Sequence, residues 1–139
     1  MKARVKWIDG GAFLAHGGSG HGVVMDGAPE AGGANQGFRP MELLLIGLGG
    51  CTAFDVVEIL RKGRHTVDDC TVAIEAERAE TVPHVFTRIH THFEVTGRGL
   101  DPAKVERAVR LSAEKYCSAS AMLGATAEIT HDVDIIESS

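Results

Sequence analysis

Arg39-Pro40-Met41-Glu42-Leu43-Leu44-Leu45-Ile46-Gly47-Leu48-Gly49-Gly50-Cys51-Thr52-Ala53-Phe54-Asp55-Val56-Val57-Glu58-Ile59-Leu60-Arg61-Lys62-Gly63 decides how the rest of the chain must be arranged. Proline at its start and glycine at its end are helix punctuation. Between Glu42 and Asp55 there is no charge. A helix that is apolar on every side must be covered on every side. The stretch reads as too short, and too closely flanked by charge, for a membrane span. It therefore predicts a central core helix with Cys51 in its middle.

The direction of that cysteine follows from helical spacing. Cys51, Asp55, Glu58 and Lys62 stand at i, i+4, i+7 and i+11, one narrow stripe. One turn earlier on the stripe is Gly47, which has no side chain. Helical side chains lean toward the N-terminus, so the thiol leans over bare backbone and leaves room for a small reactant. Taken alone, a single helical cysteine is more often a small buried hydrophobe than a reactive thiol.

Composition narrows the class. A chain of 139 residues fits one domain, residues 1–139, burying about two-thirds of the surface its unfolded form exposes. A net charge of −5 with no basic run argues against a nucleic-acid partner. The opening Met1-Lys2-Ala3-Arg4-Val5 alternates at once and has no signal-peptide core. Three cysteines, an odd number, do not make a secreted disulfide framework. A reducing cytoplasm is the expected setting, where a disulfide is catalytic or redox-sensing rather than structural.

Ten of the seventeen glycines fall in residues 1–37, between short alternating runs (Ala3/Val5/Trp7, Phe13/Ala15, Val23/Met25). These predict a small antiparallel meander with tight turns. Asp26 to Gly37 reads as a loop into the central helix. No glycine cluster is followed by Lys-Ser or Lys-Thr, and Gly47-x-Gly49-Gly50 lies inside a helix, so it is a packing notch rather than a nucleotide site. Two long strands follow. Val72, Ile74 and Ala76 alternate with Ala73, Glu75 and Glu77; Ile89, Thr91, Phe93 and Val95 alternate with Arg88, His90, His92 and Glu94. Each predicts one dry and one wet face. His90 and His92 could share a metal, but two histidines do not complete a zinc site, and a solvated face is the expectation. No metal or cofactor is expected. Cys70 reads as structural, and His131, beside Ile129, Val133 and Ile135, as a satisfied core histidine.

Asp101-Pro102 opens a second helix, aspartate as N-cap and proline at the first position. Val105, Ala108, Val109 and Tyr116 form its expected buried stripe, with Ser112 the weak point. The helix breaks at Cys117-Ser118, and Ser118 is expected to cap a short new helix. A thiol at a helix start is acidified, which makes Cys117 a second candidate reactive thiol.

Pro40-Met41-Glu42-Leu43-Leu44…Gly49-Gly50-Cys51-Thr52-Ala53, paired with Glu114-Lys115-Tyr116-Cys117-Ser118, resembles the OsmC/Ohr family, in particular its YhfA-like branch. Lys2-Ala3-Arg4-Val5-Lys6-Trp7, Met25-Asp26-Gly27 and Phe93-Glu94-Val95-Thr96-Gly97 fit the same branch, so the resemblance spans nearly the whole chain. It implies an α+β fold: an intertwined homodimer with antiparallel sheets wrapped around long central helices. It implies thiol-dependent reduction of organic hydroperoxides in stress protection, with Cys51 peroxidatic, Cys117 resolving and a thiol or dithiol as reductant. Neither nucleic acid nor membrane is an expected partner.

The chain departs from the family's peroxidase pattern at two places. Active members carry an arginine after the Gly-Gly of the N-terminal turn and a glutamate directly after the helix-opening proline. Here Ser19 follows Gly17-Gly18 and Met41 follows Pro40, with Glu42 one residue late, or about 100° round the helix. Arg39 is the nearest basic substitute. Asp55, one turn beyond Cys51, opposes a negative charge on the thiol. The competing reading is a dimeric redox-sensing or small-molecule-binding protein with little or no turnover.

Overall fold

The computed structural model describes residues 1–139, in the order β1 (Ala3–Asp9), β2 (Ala12–Gly17), β3 (Gly22–Met25), α1 (Pro40–Lys62), β4 (Thr66–Arg78), β5 (Phe86–Arg98), α2 (Pro102–Leu111), α3 (Ser118–Leu123) and β6 (Glu128–Glu137). The class is mixed α+β, with two three-stranded sheets and three helices. Two compact units are distinguished, Met1–Ile46 and Gly47–Ser139, the boundary falling inside α1.

In the second unit β4, β5 and β6 form one sheet in that order. β4 and β5 are antiparallel, with Val72 opposite Phe93 and Ile74 opposite Thr91. The expected faces are observed: Ile89, Thr91, Phe93 and Val95 are buried, while Arg88, His90 and Glu94 are exposed. The sheet is not wholly antiparallel, however. β6 pairs with β5 in parallel, Phe93 opposite Val133 and Val95 opposite Ile135. The intervening α2 and α3 carry the chain back to the end where β5 began, as a parallel connection requires. His131 is exposed rather than a core residue, the apolar positions of β6 being Ile129, Val133 and Ile135.

The dry face of the sheet meets two helices. Val56 and Leu60 from α1, Val105, Ala108 and Val109 from α2, and Phe93 and Val95 from β5 form one buried cluster. α2 starts as expected, Asp101 accepting the N–H of Ala103 at 3.0 Å with Pro102 in the first turn. α1 extends over 23 residues, long and apolar enough by length and composition to cross a membrane, which corrects the reading of this stretch as too short. A core helix passes the same test, and Leu48, Thr52, Val56 and Leu60 are buried here as a core stripe.

The first unit is the expected meander, β1–β2–β3, with Trp7 opposite Phe13 and Phe13 opposite Met25. After β3 the loop is organised by Asp26, which is only 2% exposed. Its carboxylate accepts the N–H groups of Gly27 (2.7 Å), Ala34 (3.1 Å) and Gln36 (3.1 Å). The resulting fold is so close that a Cβ on Gly33 would lie 2.1 Å from the Gly27 carbonyl oxygen. Only glycine fits there. The Gln36 N–H is the main cause that holds the Asp26 carboxyl below its ordinary 3.8; burial works the other way, and Gly27, Ala34 and Arg39 add to the lowering.

A carboxyl that is more acidic when folded contributes stability above its unfolded pKa and loses it as pH falls through the folded one. The amides of Ala34 and Gln36 should therefore stay protected from hydrogen exchange at neutral pH and lose protection only on acidification below 3.8. In Asp26→Asn a single carbonyl oxygen replaces the two acceptors, and both amides should exchange faster at neutral pH. Equal rates in the two proteins would dismiss this role for Asp26.

Candidate active site

At about 100° per residue, the second half of α1 has three distinct faces. Leu48, Thr52, Val56 and Leu60 make the buried one, none more than 2% exposed. Opposite lie Gly47, Gly50 and Phe54, with nothing near the two glycines and Phe54 69% exposed. Cys51, Asp55, Glu58 and Lys62 run along the border between them. Of the three glycines, Gly49 is the packing notch, where an added Cβ would meet Ile74 Cδ1 at 3.1 Å.

Cys117 reaches the same place from α2. That helix ends at Leu111 and widens into a π-helical turn, Ser112–Tyr116, closed by Cys117 N–H donating to the Ser112 carbonyl at 2.9 Å. Such turns break the helical phase and recur at functional sites. The phase change explains why Tyr116 is exposed, against the expected buried stripe, while Ser112 is wholly buried. Cys117 leaves the helix in extended conformation and is itself the N-cap of α3, its Sγ accepting Ser120 N–H at 3.4 Å; Ser118 is not the cap.

The two sulfurs and an Asp55 carboxylate oxygen lie within 4.8 Å of one another. All three cysteines are free thiols. Cys51 is half-buried and Cys117 is 4% exposed. Burial pushes the Cys117 thiol above its ordinary 9.0, and the nearby Cys51 raises it further, against the lowering by Ser120. The expected acidification at the helix start is outweighed by desolvation. Cys70 lies at the edge of the hydrophobic cluster, its thiol also raised, by burial first and then by Asp69.

Asp55 is held by a relay that sequence reasoning missed. Ser112 Oγ lies 2.7 Å from Thr52 Oγ1 and 3.0 Å from Asp55 Oδ2, with the Thr52 carbonyl at 3.4 Å. Ser112 has one hydrogen, and the carboxylate is its better acceptor, so the Thr52 hydroxyl donates to Ser112 and Ser112 donates to Asp55. The available signal was the serine itself: a polar residue on an otherwise apolar stripe must find a partner. Beside this relay an open groove of about 440 Å³ is lined by Phe54, Asp55, Glu58, Ile59, Lys62 and Tyr116.

Arg39 and Glu42 are found together at the start of α1. The Arg39 N–H donates to Glu42 Oε1 at 2.8 Å, the reaching-back arm of a capping box. The Arg39 guanidinium donates to the carbonyls of Gly37 (3.1 Å) and Asp26 (3.4 Å) and to Asn35 Oδ1 (3.0 Å).

Residues 33–132 match the family model for OsmC-like protein. The chain belongs to the OsmC-like family. Protein YhfA of Escherichia coli (strain K12) is 49% identical over 136 residues, 98% of this chain and 98% of YhfA. A structural-genomics structure 48% identical to this chain covers 99% of it and 100% of its own length, with a TM-score of 0.90. An organic hydroperoxide resistance protein OsmC from Legionella pneumophila shares the fold at a TM-score of 0.72 but only 18% identity, over 96% of this chain and 95% of that one.

In this OsmC-like chain the buried relay should be measurable as stability. Ser112→Ala leaves the Thr52 hydroxyl buried without its partner, at a cost of about 1–3 kcal/mol in denaturant unfolding. Removing both hydroxyls, in Thr52→Val/Ser112→Ala, should recover part of that loss. Purely additive losses in the double variant would mean that the two hydroxyls do not interact.

Proposed function

We propose that the protein is a thiol-dependent peroxidase that reduces organic hydroperoxides through Cys51 and Cys117. The observation that carries this reading is the meeting of the two thiols, from separate helices, beside one carboxylate. The name of the Legionella relative, which speaks of organic hydroperoxide resistance, agrees with it. Cys51 is the attacking thiol because it is the more exposed; Cys117, buried and held protonated, is the resolving one.

In the proposed reaction Cys51 gives its proton to Asp55 and the thiolate attacks the peroxide O–O bond. The sulfur becomes a sulfenic acid, and the alkoxide leaves as an alcohol after taking the proton back. Cys117 then displaces water from the sulfenic acid and a disulfide forms. A dithiol reductant of the cytoplasm reopens it by exchange, becoming a disulfide itself. The groove adjoins the thiols through Asp55 and is lined by Phe54, Ile59 and Tyr116 together with Glu58 and Lys62, a mixed surface for the rest of the hydroperoxide. Ser112 and Thr52 keep the carboxylate in place.

The proposal extends to the assembly. The whole chain works as one OsmC-like domain within an intertwined homodimer. Its support is the uncovered apolar surface: Phe54 beside Gly47 and Gly50 on α1, Met122 at 78% exposure, and Val5 and Trp7 on β1 at 56% and 61%. Monomers rarely leave so much apolar surface bare. A second reading, a redox-sensing protein of little turnover, is favoured by the carboxylate beside the thiols and by Ser19 where active members have arginine.

Intact-mass measurement separates the two. One equivalent of organic hydroperoxide should consume two thiols in the wild type. Cys117→Ser should accumulate the sulfenic acid of Cys51 and then overoxidise, and Cys51→Ser should not react. Wild type that stays reduced under excess peroxide overturns the peroxidase reading.

Sedimentation at micromolar concentration should show a dimer, and Phe54→Asp should shift it toward monomer. A wild-type monomer under these conditions refutes the assembly.

A further inference from the structure

The wet face of the second sheet carries a cluster that the thiol chemistry does not use. Parallel pairing sets Asp132 beside His92 and Asp134 beside Glu94. His90 Nε2 and His92 Nδ1 lie 2.8 and 3.0 Å from the same oxygen, Asp132 Oδ1, and His90 Nδ1 lies 2.7 Å from Thr130 Oγ1. These contacts assign the protons. Thr130 donates to His90 Nδ1, His90 Nε2–H donates to Asp132, and His92 Nδ1–H donates to Asp132. His92 Nε2 is then left facing two carboxylates, Asp134 Oδ2 at 3.3 Å and Glu94 Oε1 at 3.8 Å.

We propose that His92 Nε2, Glu94 and Asp134 form a binding site for a divalent transition-metal ion, oriented by Asp132. Three donor atoms, one from each residue, lie within 4.8 Å of one another. Metal–ligand bonds of about 2.1 Å at tetrahedral angles put donors about 3.4 Å apart, close to the distances observed. A carboxylate on the far nitrogen of a ligating histidine is the usual orienting partner. Imidazole with two carboxylates selects a transition ion over calcium or magnesium, which take oxygen alone. The same acceptors favour positive charge at the ring: the Asp132 hydrogen bond first, then the Asp132, Asp134 and Glu94 charges, raise His92 above its ordinary 6.5 against the lowering by burial. The strand on the other side adds no charge next to His92, since Ala73 stands opposite it, and Glu75 stands opposite His90.

Manganese(II) is the appropriate probe, because thiolates prefer softer ions. In the full-length protein, substoichiometric Mn²⁺ should broaden the NMR amide signals of His92, Glu94, Asp132 and Asp134 before any others. Titration followed by the EPR signal of free Mn²⁺ should give one site per chain. His92→Gln, Asp134→Asn and Asp132→Asn should each weaken it tenfold or more, and Glu75→Gln, on the same face, by less than twofold. Asp132, Asp134 and Glu75 are exposed and His92 is half-buried on the wet face, outside the hydrophobic cluster, so the four variants should keep the fold. Broadening spread over the whole acidic face, or a loss in Glu75→Gln equal to that in His92→Gln, would reduce the site to diffuse counter-ion attraction and overturn the proposal.

Discussion

The structure depends on one constraint, the need to cover a helix that is apolar almost all round. From Gly47 onward its own chain covers a single stripe: Leu48, Thr52, Val56 and Leu60. That stripe includes a threonine, whose hydroxyl must find a partner in a dry interior. The partner is Ser112, buried and contributed by the turn after α2. Ser112 spends its own hydrogen on Asp55. Burying the helix thus determines where a carboxylate stands, one turn from Cys51, and the same turn delivers Cys117 next to both. Core packing and the thiol cluster are consequences of the same contact.

Much of this was legible in the sequence, because it was written in periodicity and punctuation. The faces of β4 and β5 followed from alternation, the start of α2 from Asp101-Pro102, and the approach of two thiols from the family resemblance. What escaped was whatever local pattern does not encode. Parallel pairing of β6 depends on how the α2–α3 crossover returns, not on β6 itself; His131 has the parity of Ile129, Val133 and Ile135 and is exposed all the same, since alternation gives the face and not its cover. The π-helical turn changed the phase of α2 after Leu111, so Tyr116, extrapolated at 3.6 residues per turn, came out exposed. Cys117 was read by its place at a helix start; its burial, a tertiary property, decided the direction of its pKa. Asp26 to Gly37 reads as a plain loop because its folding depends on one side chain, the Asp26 carboxylate collecting backbone N–H groups from residues up to ten positions away.

The environment of the thiols raises a problem of charge. A reactive thiolate is usually favoured by a neighbouring cation, and the charged atom that closes the Cys51–Cys117 cluster here belongs to a carboxylate. Arg39 has several acceptors of its own in the Asp26 loop, and Glu42 accepts its backbone N–H. Their contacts are those of residues that build the entry to α1.

A carboxylate is still a useful neighbour if its task is to move protons rather than to stabilise charge. Peroxide reduction by two thiols needs one proton removed from the attacking sulfur and one delivered to the departing alkoxide. The same proton can serve both steps if a base stands within reach of the sulfur and the leaving oxygen. Asp55 is half-buried, beside the groove, and keeps one oxygen for Ser112. Its other oxygen is available for that transfer. A cation would lower the energy of the thiolate throughout, at rest as well as in the reaction. A carboxylate gives no such stabilisation and can act only by accepting a proton and returning it. In the proposed reaction Asp55, fixed by Ser112 and adjoining both thiols, is the group placed to make that transfer.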